Sequence, residues 1–142
     1  MSGRSITIVE PPGFAPPKGY ANGALVRGAV LFVAGQVGWN AAQVFESDEL
    51  AAQFAQALDN VLAVVRAAGG APEDVAKMTI YVTDLDAYRK STRAIGAAWR
   101  ARFGKHFPAM ALVGVAGLVE PRALCEIEAI AAISAPAGAD PQ

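Results

Sequence analysis

Glu126 and Glu128 stand in residues 124–133, a segment whose other residues are apolar apart from Cys125. Alanines and β-branched residues repeat there at every second position, which predicts a buried β-strand. Successive side chains of a strand point to opposite faces, so both glutamates share one face, whereas Cys125 and Ile127 share the other. The glutamate face either meets water, as one face of an antiparallel sheet commonly does, or lines a polar cleft in which a carboxylate takes or gives a proton.

A pair of glycines, Gly35 and Gly38, follows a predicted strand at residues 30–34. Glycine lets another group come close to the backbone, and it is also typical of simple bulges and turns. Both interpretations stay open, and the bulge or turn is the commoner of the two. Trp39, directly after this pair, either walls a cleft or covers the end of the sheet.

The N-terminal part of the chain predicts strands around an exposed loop. Residues 6–9 favour a short strand, and the prolines and glycines of residues 10–19 favour a rigid loop that Tyr20 closes. Two apolar runs, at residues 24–27 and 30–34, are separated by a tight-turn spacing. They predict a hairpin with its turn at Gly28 and Ala29.

Two helices are predicted further along. Ser47, followed by two acids, favours the start of the first helix, and Gly69 with Gly70 favours its end. Asp84 is expected to cap the second helix, which Gly104 ends. Each helix has an apolar stripe at helical spacing, formed by Leu50, Phe54, Leu58, Val61, Leu62 and Val65 in the first and by Leu85, Tyr88, Thr92, Ile95 and Trp99 in the second.

The remaining elements complete a sheet. Pro72 favours a helical turn at residues 72–74, and the alternation of residues 75–83 predicts a strand. Residues 110–115 predict another buried strand, which enters through Phe107 and Pro108 because proline restricts its own φ and extends the residue before it.

This order of elements predicts an α+β fold in which helices gather on one face of a mixed sheet. Residues 1–142 are expected to form one domain, with a flexible tail at residues 134–142. The composition is 54% hydrophobic and 18% charged, which is more apolar material than a chain of 142 residues easily buries. The face of the sheet without helices must meet water or another subunit, and the composition favours a subunit.

Composition and motifs exclude several classes of function. A net charge of −1 gives no overall attraction for nucleic acid or anionic lipid, and no apolar run approaches the length of a membrane helix. The single Cys125 cannot form an intramolecular disulfide, and no secretion signal is apparent, so we expect a cytoplasmic protein. The one histidine, His106, has no partner pattern for catalysis, and no ligand spacing predicts a metal site.

A local cluster of basic residues keeps RNA binding open as an alternative. Half of the twelve lysines and arginines fall between Asp86 and Glu120, where no acid occurs. An ordinary solvated helix face is the favoured interpretation, because few aromatic residues accompany the charges. The cluster consists of Arg89, Lys90, Arg93, Arg100, Arg102 and Lys105.

Three segments together resemble one known family. They are LFVAGQVG at residues 31–38, ALDNVLAVVRAAGGAPEDVAKMTIYVTDL at 57–85, and FPAMALVGVAGL with EIEAIA within 107–131. Their order and spacing are similar to those of the reactive-intermediate deaminases, the RidA or YjgF-like proteins. The resemblance implies a chorismate-mutase-like α+β fold, a homotrimer with an inner barrel, and ligand clefts between subunits. It also implies hydrolysis of reactive enamines and imines, such as 2-aminoacrylate, to a keto acid and ammonia, without metal or organic cofactor.

The same resemblance assigns roles to individual residues. Glu126 would orient the attacking water or relay its proton, Gly35 would offer its main-chain N–H to the cleft, and Tyr20 would lie at the cleft mouth. Thr92 stands where many members carry Asn and is a further ligand-binding candidate. Glu128 is expected to be structural.

Met110 departs from the family pattern, because active deaminases carry Arg at this point of the FPAM segment. That Arg binds the substrate carboxylate in a bidentate manner, which a thioether cannot do. The missing contact is worth about 1.5–3 kcal/mol, or about ten- to several-hundred-fold in transition-state binding. We therefore expect weak activity on 2-aminoacrylate and a neutral or weakly acidic ligand. Arg122 is a candidate replacement, although a loop arginine without a site role is the favoured interpretation.

Three classes of function remain, in this order of preference. The first is a hydrolytic deaminase of a non-standard imine or enamine, and the second is a trimeric protein that binds a small molecule without turnover. The third is an RNA-associated translation inhibitor or ribonuclease.

Overall fold

The computed structural model of the protein describes residues 5–134. Six strands form two sheets there, and three α-helices and a 3-10 helix at Pro72–Asp74 connect them. The strands are β1 (Ile6–Val9), β2 (Gly23–Val26), β3 (Ala29–Val37), β4 (Val75–Val82), β5 (Ala109–Gly114) and β6 (Cys125–Ile133), and the helices are α1 (Leu50–Ala67), α2 (Leu85–Lys90) and α3 (Thr92–Phe103).

The larger sheet has the strand order β3-β6-β4-β5. β4 and β5 run parallel, whereas β6 is antiparallel to both of its neighbours, so the sheet is mixed as expected. The antiparallel pair β1 and β2 forms the second, smaller sheet. The predicted α+β class with a mixed sheet is therefore confirmed.

The hydrophobic core lies between the larger sheet and the helices. The predicted stripe of α1 is buried along its whole length, together with alternate residues of β4 and β6. Ile95, Trp99 and Phe103 of α3 join the same core. No helix within residues 5–134 is both long enough and apolar enough to cross a membrane.

The other face of the larger sheet is open in the single chain. Phe32 of β3 is 74% exposed, and Val30 and Val113 are each more than 40% exposed. Glu126 and Glu128 share this face, while Cys125 and Ile127 point into the core, as the alternation predicts. An apolar surface with two carboxylates thus lies opposite the helices.

The predicted hairpin of residues 24–27 and 30–34 is wrong. β2 pairs with β1, and Arg27 N–H extends that ladder by donating to the Ser5 carbonyl. β3 instead pairs with β6, an equally long strand that offers a longer ladder than β2. The two apolar runs are adjacent along the chain but belong to different sheets.

The predicted helix boundaries also need correction. Ser47 does not cap α1, because its hydroxyl accepts from Glu49 N–H and Glu49 occupies the cap position. The second predicted helix is two helices, α2 and α3, which Ser91 separates with non-helical dihedral angles. Asp84 does cap α2, since its carboxylate accepts from Ala87 N–H at 3.0 Å.

The strands of the glutamate region differ in burial from the prediction. β5 is an edge strand whose residues are all partly or fully exposed, so it is not the buried strand predicted at residues 110–115. β6 does have the predicted buried face. The predicted flexible tail, residues 134–142, lies outside the described residues except for Ser134, an exposed bend.

A buried glutamine joins the start of α1 to the start of β6. Gln53 is 1% exposed, and its side-chain amide donates to the carbonyls of Ser47 and Arg122. Its amide oxygen accepts from Leu124 N–H at 2.8 Å. Buried polar groups need such partners, and here they hold the chain two residues before Glu126.

Gly38 lies directly against this glutamine, which gives a stability prediction. A Cβ added at Gly38 would lie 2.5 Å from the carbonyl oxygen and the Cβ of Gln53, so Gly38→Ala must displace α1 or β3. We expect the variant to lose about 1–3 kcal/mol of unfolding free energy in urea titrations.

Gly117→Ala is the matched control for Gly38→Ala. A Cβ at Gly117 would meet nothing within 4 Å, so this change is expected to stay within about 0.5 kcal/mol of the unmodified protein. Equal unfolding free energies for the two variants would contradict the proposed crowding at Gly38.

Candidate active site

Three of the predicted ligand-binding residues line one cavity of about 520 Å³ beside the helices. Met110 reaches it from the helix side of β5, where it pairs with Met78 of β4. Tyr20 is placed there because Ala21, the next residue, forms a bridge to Ala109 and donates its N–H to the Pro108 carbonyl at 2.9 Å. Thr92, the first residue of α3, is exposed to this cavity rather than packed in the core.

Aromatic residues form the wall of this cavity. Trp99 and Phe107 are stacked with ring centroids 5.8 Å apart, and Phe103 stacks on the same Trp99 ring at 4.2 Å. Trp99 Nε1 donates to the His106 carbonyl, and His106 Nε2 lies 2.7 Å from the Val75 carbonyl. His106 thus lies in the loop after α3 and connects that helix to β4.

Glu126 and Gly35 form a second group on the open face of the sheet. An ideal Cβ on Gly35 would lie 2.8 Å from the Glu126 carboxyl carbon, so the carboxylate lies directly over the glycine. Between Val33 and Gln36, β3 carries one extra residue relative to β6. Both readings of this glycine therefore hold: the strand has a bulge, a common feature beside active sites, and its backbone closely approaches a charged group.

The two groups point away from each other within one chain. Met110 faces the helices, whereas Glu126 faces the open side, and neither Glu126 nor Gly35 lines the 520 Å³ cavity. A single chain therefore does not bring the five predicted site residues together.

The two glutamates have different surroundings. Tyr81 Oη donates to Glu128 at 2.6 Å, and this hydrogen bond raises the pKa of Tyr81, so the phenol stays protonated. Glu126 lies opposite Tyr81 in the ladder, but its carboxylate has no hydrogen-bond partner among residues 5–134. Of the two glutamates, Glu126 is thus the one whose carboxylate is not engaged by another described side chain.

Cys125 is not a nucleophile in this structure. Burial raises the pKa of its thiol to about 12, and the negative charge of Glu126 adds to the shift. The thiol is fully buried in the core as predicted, and it stays protonated at neutral pH.

Arg122 and Trp39 lie away from the cavity. The Arg122 guanidinium forms an ion pair with Asp48 at 2.8 Å and lies 5.5 Å from the centre of the Phe45 ring. Trp39 packs against Phe45 with ring centroids 5.7 Å apart. The loop before α1 thus engages both side chains, and Arg122 does not take the place of the missing arginine in this cavity.

Several contributing residues were missed by the sequence analysis. Gln53 breaks the apolar pattern on the buried face of α1, and that irregularity is a signal for a buried polar anchor. The sequence pattern places Tyr81 only in an alternating strand. Its hydrogen bond to Glu128 depends on the register of β4 against β6, which the pattern does not give. The contribution of Arg100 to the cavity depends on the placement of α3, which no local pattern gives.

Comparisons with known proteins identify the relatives of this chain. The family model described as Endoribonuclease L-PSP matches residues 12–133. The 2-iminobutanoate/2-iminopropanoate deaminase of Escherichia coli K12 is 37% identical over 107 residues, which cover 73% of this chain and 80% of that protein.

Solved structures agree with this relationship. A Rid family protein of unknown function from Yersinia pestis has a TM-score of 0.82 at 32% identity, covering 92% of this chain and all of that one. The TdcF protein of E. coli, solved with bound serine, has a TM-score of 0.66 at 30% identity, covering 90% and 99% of the two chains. The chain belongs to the Endoribonuclease L-PSP family, the RidA or YjgF-like proteins.

Proposed function

We propose that this protein hydrolyses a reactive enamine or imine to a carbonyl compound and ammonia, without metal or organic cofactor. The observation that carries the proposal is the Glu126 carboxylate, which lies over Gly35 without a hydrogen-bond partner among the described residues. Glu126 takes a proton from water as the water oxygen bonds to the imine carbon, and it passes this proton to the imine nitrogen to give a carbinolamine. It then takes the hydroxyl proton and passes it to the nitrogen as the carbon–nitrogen bond breaks, so that a carbonyl compound and ammonia are released. The similar E. coli deaminase supports this reaction class.

The active site is completed between copies of the chain. Glu126 and Gly35 of one copy would meet Tyr20, Thr92 and Met110 of the next, which unites two groups that a single chain keeps on opposite sides of its sheet. The apolar open face of that sheet supports a homotrimer, because side chains such as Phe32 are otherwise left in water.

Phe32→Asp tests the assembly. A carboxylate at a residue that becomes buried between subunits costs far more than it does in water, so we expect the trimer to dissociate at micromolar concentration. Multi-angle light scattering measures the mass directly. Val119→Asp is the matched control, because Val119 is 95% exposed and lies in the loop between β5 and β6 rather than in the sheet. A monomeric unmodified protein, or a trimeric Phe32→Asp variant, would refute the shared site.

The reaction itself is tested by generating imines in the presence of the protein. An amino acid oxidase or a threonine dehydratase supplies the imine, and accelerated release of keto acid and ammonia reports hydrolysis. We expect low activity on 2-aminoacrylate because Met110 provides no charge for its carboxylate. No acceleration with any imine would favour the alternative of a trimeric protein that binds a small molecule without turnover.

An RNA-associated role is the remaining alternative, and the family description is the observation that favours it. Two members of the basic cluster have acidic partners, which lowers the charge available for RNA. Arg89 forms an ion pair with Asp86, and Arg102 binds Asp59 through two nitrogens at 2.7 and 3.1 Å. A steep loss of RNA affinity with added salt would support this role. Absence of RNA binding at low salt would dispose of it.

A further inference from the structure

The cavity beside Met110 has an unbalanced charge. Among the residues that the structure describes, its lining includes three cationic side chains, those of Lys18, Arg100 and Lys105, and no carboxylate. None of the three forms an ion pair with a residue in the range 5–134. All three side chains are exposed to solvent, and their combined positive charge beside the cavity attracts anions.

Arg100 is the best placed of these three cations. Side chains of a helix lean towards its N-terminus, and the residue one turn earlier on α3 is Gly96. An ideal Cβ at Gly96 would lie 3.2 Å from Arg100 Nη1, so the absence of a side chain there gives the guanidinium its position over the cavity lining. Arg100 also borders a groove with Glu73 and Asp74, but it forms no ion pair with either.

The rest of the lining is apolar and spacious. Tyr88, Trp99, Phe107 and Met110 contribute flat or flexible apolar surface. The volume of 520 Å³ lies in the range of about 300–1,000 Å³ typical of pockets for ligands larger than a three-carbon acid. An amphiphilic ligand would match both the apolar wall and the cations.

We propose that Arg100, on α3, supplies the carboxylate contact that Met110 cannot supply from β5. The preferred ligands are then carboxylates with a bulky, aromatic or branched apolar side chain, which in the reaction proposed above correspond to imino or enamino acids of that size. Met110 alone predicts a neutral ligand. With the Arg100 guanidinium on α3 beside it, we expect a carboxylate instead. The identity of the substrate rests on the proposed function, whereas the preference for carboxylates is a binding property that can be measured without turnover.

The test compares the binding of 3-phenylpropionate, its neutral amide 3-phenylpropanamide, and propionate by isothermal titration calorimetry. We expect the aromatic acid to bind about ten- to a hundredfold more tightly than its amide, as a charge-assisted contact allows. Propionate should bind most weakly, because it leaves the aromatic wall uncovered. Arg100→Gln should reduce the ratio of the affinity for the acid to the affinity for the amide by about tenfold. The midpoint of unfolding should not change.

Arg93→Gln is the control, because it removes the same charge from the same helix. Arg93 is exposed and does not line the cavity. The substitution should leave the ratio unchanged. Equal affinities for acid and amide in the unmodified protein, no binding of either, or equal effects of the two variants would overturn the proposal. Hydrolysis that depends on Glu126 is measured separately. If the unmodified protein hydrolyses imines but binds acid and amide equally, only the role of Arg100 is refuted. If it prefers the acid but does not hydrolyse imines, only the proposed reaction is refuted.

Discussion

Glu126→Gln is expected to lower kcat for imine hydrolysis by about 10²–10⁴-fold, the usual contribution of a general acid–base group. The amide has nearly the same size and can still accept a hydrogen bond, but it cannot take a proton from water. The side chain lies on the open face over Gly35, so the substitution should not disturb the core. Keto-acid release from an imine generated in the assay measures the effect.

Glu128→Gln is the matched control, because it changes the same side chain two residues away on the same face. Its partner is Tyr81, so we expect a small change in stability and retention of most turnover. Light scattering should show the same mass for both variants. Full turnover by an assembled Glu126→Gln protein would assign Glu126 a structural role.

Met110→Arg is expected to raise activity on 2-aminoacrylate by about ten- to several-hundred-fold, the value of a charge-assisted contact to the substrate carboxylate. The contact proposed for Arg100 serves larger acids, so this three-carbon acid gains its contact only from the new side chain. Met110 is partly exposed and lines an open cavity, and Arg is only modestly longer and equally unbranched. The new guanidinium can thus remain solvated, which keeps the cost of the extra charge low. The same imine assay, together with binding of 2-ketobutyrate, measures the gain.

Met110→Gln serves as the control for polarity without charge and should give no such gain. Rapid turnover of 2-aminoacrylate by the unmodified protein, with no improvement in Met110→Arg, would mean that another residue already holds the carboxylate. Arg100 is the first residue to examine in that case, since it lines the same cavity.

Local patterns predicted most elements of the fold. The alternation in β6 correctly separated the glutamates from Cys125 and Ile127, because side chains of a strand must point to opposite faces. The predicted apolar stripe of α1 was also confirmed, because helical spacing places its residues on one face of the helix.

Strand pairing was harder to predict than strand existence. The hairpin between β2 and β3 was inferred from chain proximity, but each strand gains a better partner elsewhere. The break at Ser91 was also missed, because both helices continue a similar apolar periodicity across it. Long-range register decides the strand pairing, and one sequence carries little direct information about it.

The candidate site was likewise predictable in its residues but not in their arrangement. The patterns and the family resemblance named Tyr20, Thr92 and Met110, which line one cavity, and Gly35 with Glu126, which are in close contact. Their separation onto two faces of one sheet follows from the registers of β4 against β5 and β6, which pair Met110 with Met78 and Glu126 with Tyr81. No spacing along the chain gives those registers.

The attachment of Tyr20 has a consequence for the specificity of the cavity. The segment that carries Lys18 and Tyr20 joins the larger sheet through the bridge between Ala21 and Ala109, after a loop of mostly exposed residues. Insertions or deletions in residues 10–19 would reshape the mouth of the cavity while leaving the ladder that carries Glu126 intact. A change in the length of this loop is therefore expected to alter which ligands the cavity admits, while the proposed catalytic carboxylate keeps its position in the sheet.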